Sequence, residues 1–175
     1  MTVEDLQSRF RQIRALALDV DGVLTDGGVW WGPGGEEWKR FSFADIMGLS
    51  LARRAGLQVG LISGEDTPPV DRYAAKMKIA FVAKGSRDKA ASLRDFATAT
   101  GVALTSICYI GDDVNDVAAM EIAGLSAAPA NAAGVALAHA QFVTRSAGGN
   151  GAVREVIDAI LSAQELDIRE VFSRQ

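Results

Sequence analysis

Short apolar runs separated by longer helix-patterned stretches constrain this chain more than any other feature. The runs are ALALDV (15–20), LQVGLIS (57–63), IAFVA (79–83) and SICYIG (106–111), with AGLSAAP (123–129) and QFVT (141–144) as shorter additions. Unbroken apolar runs of this length read as strands buried on both faces. The segments 45–55, 67–77, 87–100, 113–122 and 151–164 carry helical periodicity. Strands alternating with helices predict an α/β fold, a doubly wound parallel sheet with helices on both faces. With 175 residues, 49% of them hydrophobic, the chain supplies one domain, 1–175, with a sizeable core. No linker, low-complexity segment or internal repeat divides it. The C-terminal ELDIREVFSRQ is polar and reads as a helix extension or a loose end.

One segment breaks the alternation. GGVWWGPGGEEWKRFSF (27–43) holds two short apolar runs around Gly-Pro-Gly-Gly, a hairpin signal, and carries all three tryptophans. A lone hairpin is marginally stable in water. Adjacent Trp30 and Trp31 point to opposite faces of a strand. One of them is exposed unless another surface covers it, so the hairpin is expected to pack against another subunit.

Composition narrows the partners. The net charge is −4 and no basic stripe exists, which argues against nucleic acid. The single cysteine, Cys108, excludes an intrachain disulfide, suits a reducing cytosol and lies in an apolar run, where it reads as packing. The opening MTVEDLQSRFRQIR carries acids and lacks the apolar core of a signal peptide. No apolar stretch reaches the roughly 18 to 20 residues a membrane helix needs. The expected setting is cytoplasmic, away from membranes.

The chemistry gathers where the strands end. LALDVDGVLTDG places Asp19 and Asp21 two apart, on one face of a strand end. Two like charges there repel unless a cation or a charged ligand sits between them. The second strand ends in Ser63-Gly64-Glu65, Lys89 follows the third, and GDDVND after the fourth supplies Asp112, Asp113 and Asp116. Ligands bind at the carboxyl ends of such strands. Each residue has an ordinary reading by itself: Asp-Gly as a turn, Ser63 as a cap, Lys89 as solvated, Asp113 and Asp116 as acids favouring a helix dipole. Together they fit one task. Asp19 and Asp112 can share Mg²⁺, and Ser63 and Lys89 can hold phosphate oxygens. Asp19 can attack phosphorus, and Asp21 is free for proton transfer.

DVDGVLTDG, ISGE, the Lys89 region and GDDVND resemble, in order, the four motifs of the haloacid dehalogenase superfamily of phosphotransferases, over nearly the whole chain. The likeness is closer to its capless branch, whose members dephosphorylate 3-deoxy-2-keto sugar acids. It runs through the hairpin with Gly35-Glu36-Glu37, then GSRDK, YIGDDVND and VTRSAGGNGAVREV. The resemblance implies a Mg²⁺-dependent phosphatase with a hairpin in place of a cap, assembled as a homotetramer in which a neighbouring subunit helps close each site. It implies Asp19 as nucleophile and metal ligand, and Asp112 as metal ligand. Asp21 would bind the metal through its backbone carbonyl and act as acid and base. Ser63 and Lys89 would hold the phosphoryl group, and Asp113 and Asp116 would support them from behind.

The substrate implied is a phosphorylated sugar acid bound for lipopolysaccharide or another surface polysaccharide, 3-deoxy-octulosonate 8-phosphate first. Gly64-Glu65 departs from the Gly-Arg pair of many such phosphatases and is similar to relatives acting on 2-keto-3-deoxynononate 9-phosphate. Arg72 and Lys76 can offset Glu65 and meet a sugar carboxylate. The branch's Arg-Asp-Gly-x-Gly appears as Ala44-Asp45-Ile46-Met47-Gly48, and Pro68-Pro69 is also unlike those relatives. Gly148, Gly149 and Gly151 suggest a substrate-closing loop with Arg145 or Arg154 as anion contact, although Arg154 can equally pair with an acid on its own helix. His139 reads as a packed or partly exposed helix residue. A catalytically silent oligomerisation module is the main competing reading, but such relatives lose motif residues that are present here. A receiver domain fits poorly, because the third strand ends without an aspartate.

Overall fold

A computed structural model describes residues 2–174. Its strands are β1 (Ala15–Leu18), β2 (Trp30–Trp31), β3 (Glu37–Trp38), β4 (Gln58–Ile62), β5 (Phe81–Ala83), β6 (Ile107–Ile110), β7 (Leu125–Ala128) and β8 (Phe142–Val143). Six of them form one sheet in the order β5-β4-β1-β6-β7-β8, with every pairing parallel. The helices are α1 (Val3–Gln12), α2 (Phe43–Arg54), α3 (Pro68–Met77), α4 (Lys89–Thr100), α5 (Val117–Ile122), α6 (Gly134–His139), α7 (Ala152–Ala163) and α8 (Ile168–Ser173). This is the α/β architecture expected from the alternation. All six expected strands form, trimmed at their ends.

Strand β1 is buried on both faces. Leu16 and Leu18 join one core with Phe10, Leu49, Val153 and Ile157, from α1, α2 and α7. Ala15 and Ala17 face the other way, onto Phe96, Tyr109 and Met120, beside α4 and α5. The chain leaves β1 toward β4 and β5 on one side and later fills β6, β7 and β8 on the other. That reversal opens a crevice beyond the carboxyl ends of β1 and β6.

Some helices were not anticipated. In α1, Leu6 and Phe10 stand four apart on one face and a capping box between Thr2 and Asp5 starts it, with Phe10 buried and Leu6 partly so. Helix α6 is six residues of mostly small side chains with no side-chain cap. The stretch read as a helix over 113–122 divides into a 3₁₀ turn, Val114–Asp116, and α5. The polar tail forms α8, anchored by buried Val171.

The hairpin pairs Trp30 with Trp38 and Trp31 with Glu37. It is the insertion between β1 and α2, and no cap domain accompanies it among the described residues. Trp30, Trp31 and Trp38 are 67%, 78% and 55% exposed, so the chain by itself covers none of them.

Candidate active site

Asp19 follows β1 directly, and its N–H donates to Ile110 O at 2.9 Å, continuing the sheet by one residue. The loop beyond needs Gly22, whose φ is +83° and whose place allows no side chain: a Cβ would collide with Asp112 Oδ2. This close approach sets the Asp112 carboxylate over the β1 loop. Asp19, Asp112 and Asp116 offer oxygens that all lie within 4.8 Å of one another.

Lys89, the first residue of α4, reaches into this cluster. Its Nζ lies 2.9 Å from Asp19 Oδ1 and 2.7 Å from Asp116 Oδ1, and its side chain is 1% exposed. Asp116 is fully committed. Its Oδ1 also accepts the Tyr109 hydroxyl at 2.6 Å, and its Oδ2 accepts the N–H groups of Asp112 and Asp113 at 2.9 and 3.1 Å. It therefore positions Lys89 and the Asp112 loop and has no oxygen left for a metal. Tyr109 lies in the apolar run of β6, and its hydroxyl is a site group that strand periodicity does not signal.

The electrostatics follow from three acids and one buried ammonium. Burial first, then the Asp116 charge, push the Asp19 carboxyl well above its ordinary value, and Lys89 only partly opposes this. Burial followed by Asp116 raises Asp112 to about 6. Burial by itself would lower Lys89, but the charges of Asp19 and Asp116 outweigh it and leave it raised. The surplus of negative charge on Asp19 and Asp112 fits a divalent cation with oxygen preference. A carboxylate raised in the fold stabilises below its unfolded pKa and loses that contribution as pH rises through the folded value. In metal-free protein, Asp112→Asn should therefore melt a few degrees higher than wild type at pH 7.5. The gain should shrink as pH falls through about 6. Thermal melts in EDTA at pH 7.5 and at pH 5 test this; a lower Tm for the variant at pH 7.5 would refute it.

A cleft of about 460 Å³ opens over these groups, lined by Asp19, Asp21, Glu65, Lys89, Asp112, Asp113 and Asn115 among others. Ser63 lies buried at the end of β4; its Oγ accepts the Glu65 N–H at 3.1 Å, leaving its own hydrogen free to donate. Asp113 lines the cleft and caps the 3₁₀ turn through Val114 N–H. Arg72 and Lys76 are not brought into this cleft. They line a separate apolar groove of about 310 Å³ with Trp38, Phe41, Phe43 and Tyr73. Lys84 pairs with Asp66 and Asp71 on the surface.

Asp21 is held by a residue that the motifs did not signal. Lys39, one residue past β3, lies 2.8 Å from both Asp21 oxygens and 3.2 Å from Glu37 Oε1, with its side chain 1% exposed. Burial would lower this lysine; its bonds and charges with Asp21 and Glu37 outweigh that and raise it.

The glycine loop packs against the same region. Gly149 N–H donates to Val23 O, and a Cβ at Gly148 would overlap the Gly22 carbonyl. Asp45, fully buried, caps the start of α7 by accepting from Gly151 and Arg154 N–H. Arg40 ties hairpin to loop through Gly149 O and Asn150 Oδ1, both at 3.1 Å. Arg154 pairs with Asp158 at 2.8 Å on its own helix, and Arg145 is fixed through its backbone N–H by Glu155. His139 sits partly exposed in the last turn of α6, its Nδ1 2.8 Å from Val135 O.

A parallel switch-point sheet with an Asp-Lys-Asp cluster at β1 and β6 defines a phosphoryl-transfer type of site, and comparison with known proteins gives its family. Residues 62–157 match the model of the haloacid dehalogenase-like hydrolase family. The chain is 39% identical over 160 residues to 3-deoxy-D-manno-octulosonate 8-phosphate phosphatase of Escherichia coli, covering 91% of this chain and 85% of that one. The Moraxella catarrhalis phosphatase of the same name, solved with magnesium, phosphate and 3-deoxy-D-manno-octulosonate, superposes with a TM-score of 0.91 at 34% identity. That match covers 94% of both chains. The cobalt-bound Haemophilus influenzae phosphatase gives 0.89 at 34% identity, over 94% of this chain and 98% of that one. The chain belongs to the haloacid dehalogenase-like hydrolases.

Proposed function

We propose that this protein is a Mg²⁺-dependent phosphatase that hydrolyses 3-deoxy-D-manno-octulosonate 8-phosphate. The observation that carries the reading is Asp19, 2.9 Å from the buried Lys89 ammonium and beside Asp112, at the floor of the cleft. The near-full-length similarity to phosphatases of that substrate supports it.

The Asp19 and Asp112 carboxylates and the Asp21 carbonyl would hold Mg²⁺, which when bound shields the charge of the incoming phosphate and of Asp19. Lys89 and the Ser63 hydroxyl bind phosphoryl oxygens. An Asp19 oxygen attacks phosphorus, the bond from phosphorus to the sugar oxygen breaks, and Asp21 gives that oxygen its proton. In the second half, Asp21 takes a proton from water as the water oxygen attacks the phospho-aspartate. Inorganic phosphate leaves and the Asp19 carboxylate returns. Asp116 and Asp113 keep Lys89 and the Asp112 loop in place.

Glu65 lines the cleft and favours a second reading, a nine-carbon substrate such as 2-keto-3-deoxynononate 9-phosphate. Arg72 and Lys76 line the separate groove and not this chain's cleft, so the proposed contact with a sugar acid is one they would make in the cleft of a neighbouring subunit. Their role belongs with the proposed homotetramer, which the exposed Trp30, Trp31 and Trp38 support. The single buried thiol suits the proposed cytoplasmic setting, and no described helix is long and apolar enough to cross a membrane.

Phosphate release with Mg²⁺ from the eight-carbon acid phosphate, the nine-carbon one and simple sugar phosphates tests the reading. The eight-carbon substrate should give the highest kcat/KM. A nine-carbon preference would shift the assignment to the second reading and point to Glu65. No release by folded, Mg²⁺-loaded protein would favour a silent module.

A further inference from the structure

The Lys39–Asp21 pair is not explained by the phosphoryl site alone. Lysine is almost never fully buried without a partner, yet Lys39 lies on a two-stranded hairpin with its side chain 1% exposed. Its ammonium contacts both Asp21 oxygens at 2.8 Å. Asp21's side chain has no other hydrogen-bond partner among the described residues. Glu37, also on the hairpin, stands 3.2 Å from the ammonium, and its charge helps keep it protonated. Arg40, the next residue, pins the hairpin to Gly149 and Asn150. The hairpin is thereby locked to the loop that carries Asp21.

We propose that Lys39 is a positioning residue that holds the Asp21 carboxylate for the hydrolysis of phospho-aspartate, which makes the hairpin part of the catalytic apparatus. The proposal rests on the phospho-aspartate reading above. Two bonds to one ammonium fix the direction in which the Asp21 carboxylate points. Attack of water on the phospho-aspartate depends on that direction, because Asp21 must meet the water proton. Forming the phospho-aspartate from a substrate whose leaving group needs no proton does not call on Asp21. Loss of Lys39 should therefore slow breakdown of the phosphoenzyme more than its formation.

The test is rapid-quench kinetics with p-nitrophenyl phosphate and Mg²⁺, comparing wild type, Lys39→Met and Lys39→Arg. Nitrophenolate leaves without a proton, so its first turnover reports phosphorylation alone. In Lys39→Met the first turnover should stay within about threefold of wild type, while kcat falls about tenfold or more. Phosphoenzyme should accumulate, and KM should fall along with kcat so that kcat/KM stays near the wild-type value. Lys39→Arg, which keeps a charged donor, should recover most of kcat. If Lys39→Met fails to fold, Lys39→Gln, which keeps a polar group in the buried slot, carries the same test. A kcat within twofold of wild type would overturn the proposal. So would first turnover and kcat falling by one common factor, which would mark Lys39 as structural or phosphate-binding. Turnover by Asp19→Asn would instead sink the phospho-aspartate reading itself, whatever Lys39 does.

Discussion

Asp19→Asn should lower kcat by about 10⁴-fold or more, the scale on which a covalent nucleophile is lost, and leave the protein folded. The amide has nearly the shape of the carboxylate but cannot form the acyl phosphate. Stability should not suffer. Asp19 is 5% exposed, and burial makes its charged form unfavourable, so a neutral group removes a cost. Lys89 keeps its bond to Asp116 in the variant. Metal-free Asp19→Asn should accordingly melt at or above the wild-type temperature, while Mg²⁺ should stabilise it less than it stabilises wild type. Phosphate-release assays and melts with and without Mg²⁺ read all three results. A variant keeping more than about a hundredth of wild-type kcat would rule out Asp19 as the nucleophile.

Lys89→Met should damage both stability and activity. The substitution fits the volume but leaves Asp19 and Asp116 facing each other without a cation, in a place where the lysine side chain is 1% exposed. Removing one member of a buried ion pair costs about 3–5 kcal/mol. Burial already raises Asp19, and without the opposing ammonium it moves further toward its protonated form, which cannot attack phosphorus. Asp116 loses one of the groups that hold it against Tyr109 and the two N–H groups of the Asp112 loop. Acidification should return part of the stability, because protonation removes the unpaired charge, but should not return turnover. Urea unfolding at pH 7.5 and 5.5, alongside phosphate release, provides the test. A wild-type midpoint with near-normal kcat would show that Lys89 neither neutralises the cluster nor holds phosphate.

The parallel sheet was legible because a strand buried on both faces must be apolar throughout, and helices must cover those faces. The ALAL of β1 and the ICYI of β6 are such strands, buried at every residue. The acids and Lys89 were legible as strand-end residues because a polar residue directly after a buried strand stands at the sheet's carboxyl edge. Helix α1 was not assigned, although Leu6 and Phe10 share one face and Thr2 with Asp5 forms a capping box: two packed apolar positions in a polar stretch do not by themselves separate a docked helix from a loose end.

From the order of residues alone came the sheet, its carboxyl edge and the set of acids, hydroxyl and amine gathered there, since each of these depends on periodicity within one element. Only the packed structure decided what each group is free to do. Asp116 orients because Lys89, Tyr109 and two N–H groups consume its oxygens. Arg154 turns to Asp158 on its own helix, and Arg72 and Lys76 line a groove apart from the cleft. Lys39 meets Asp21 across 18 residues of chain. Such pairings depend on where long side chains end after different elements have packed, and no spacing along one element encodes that distance.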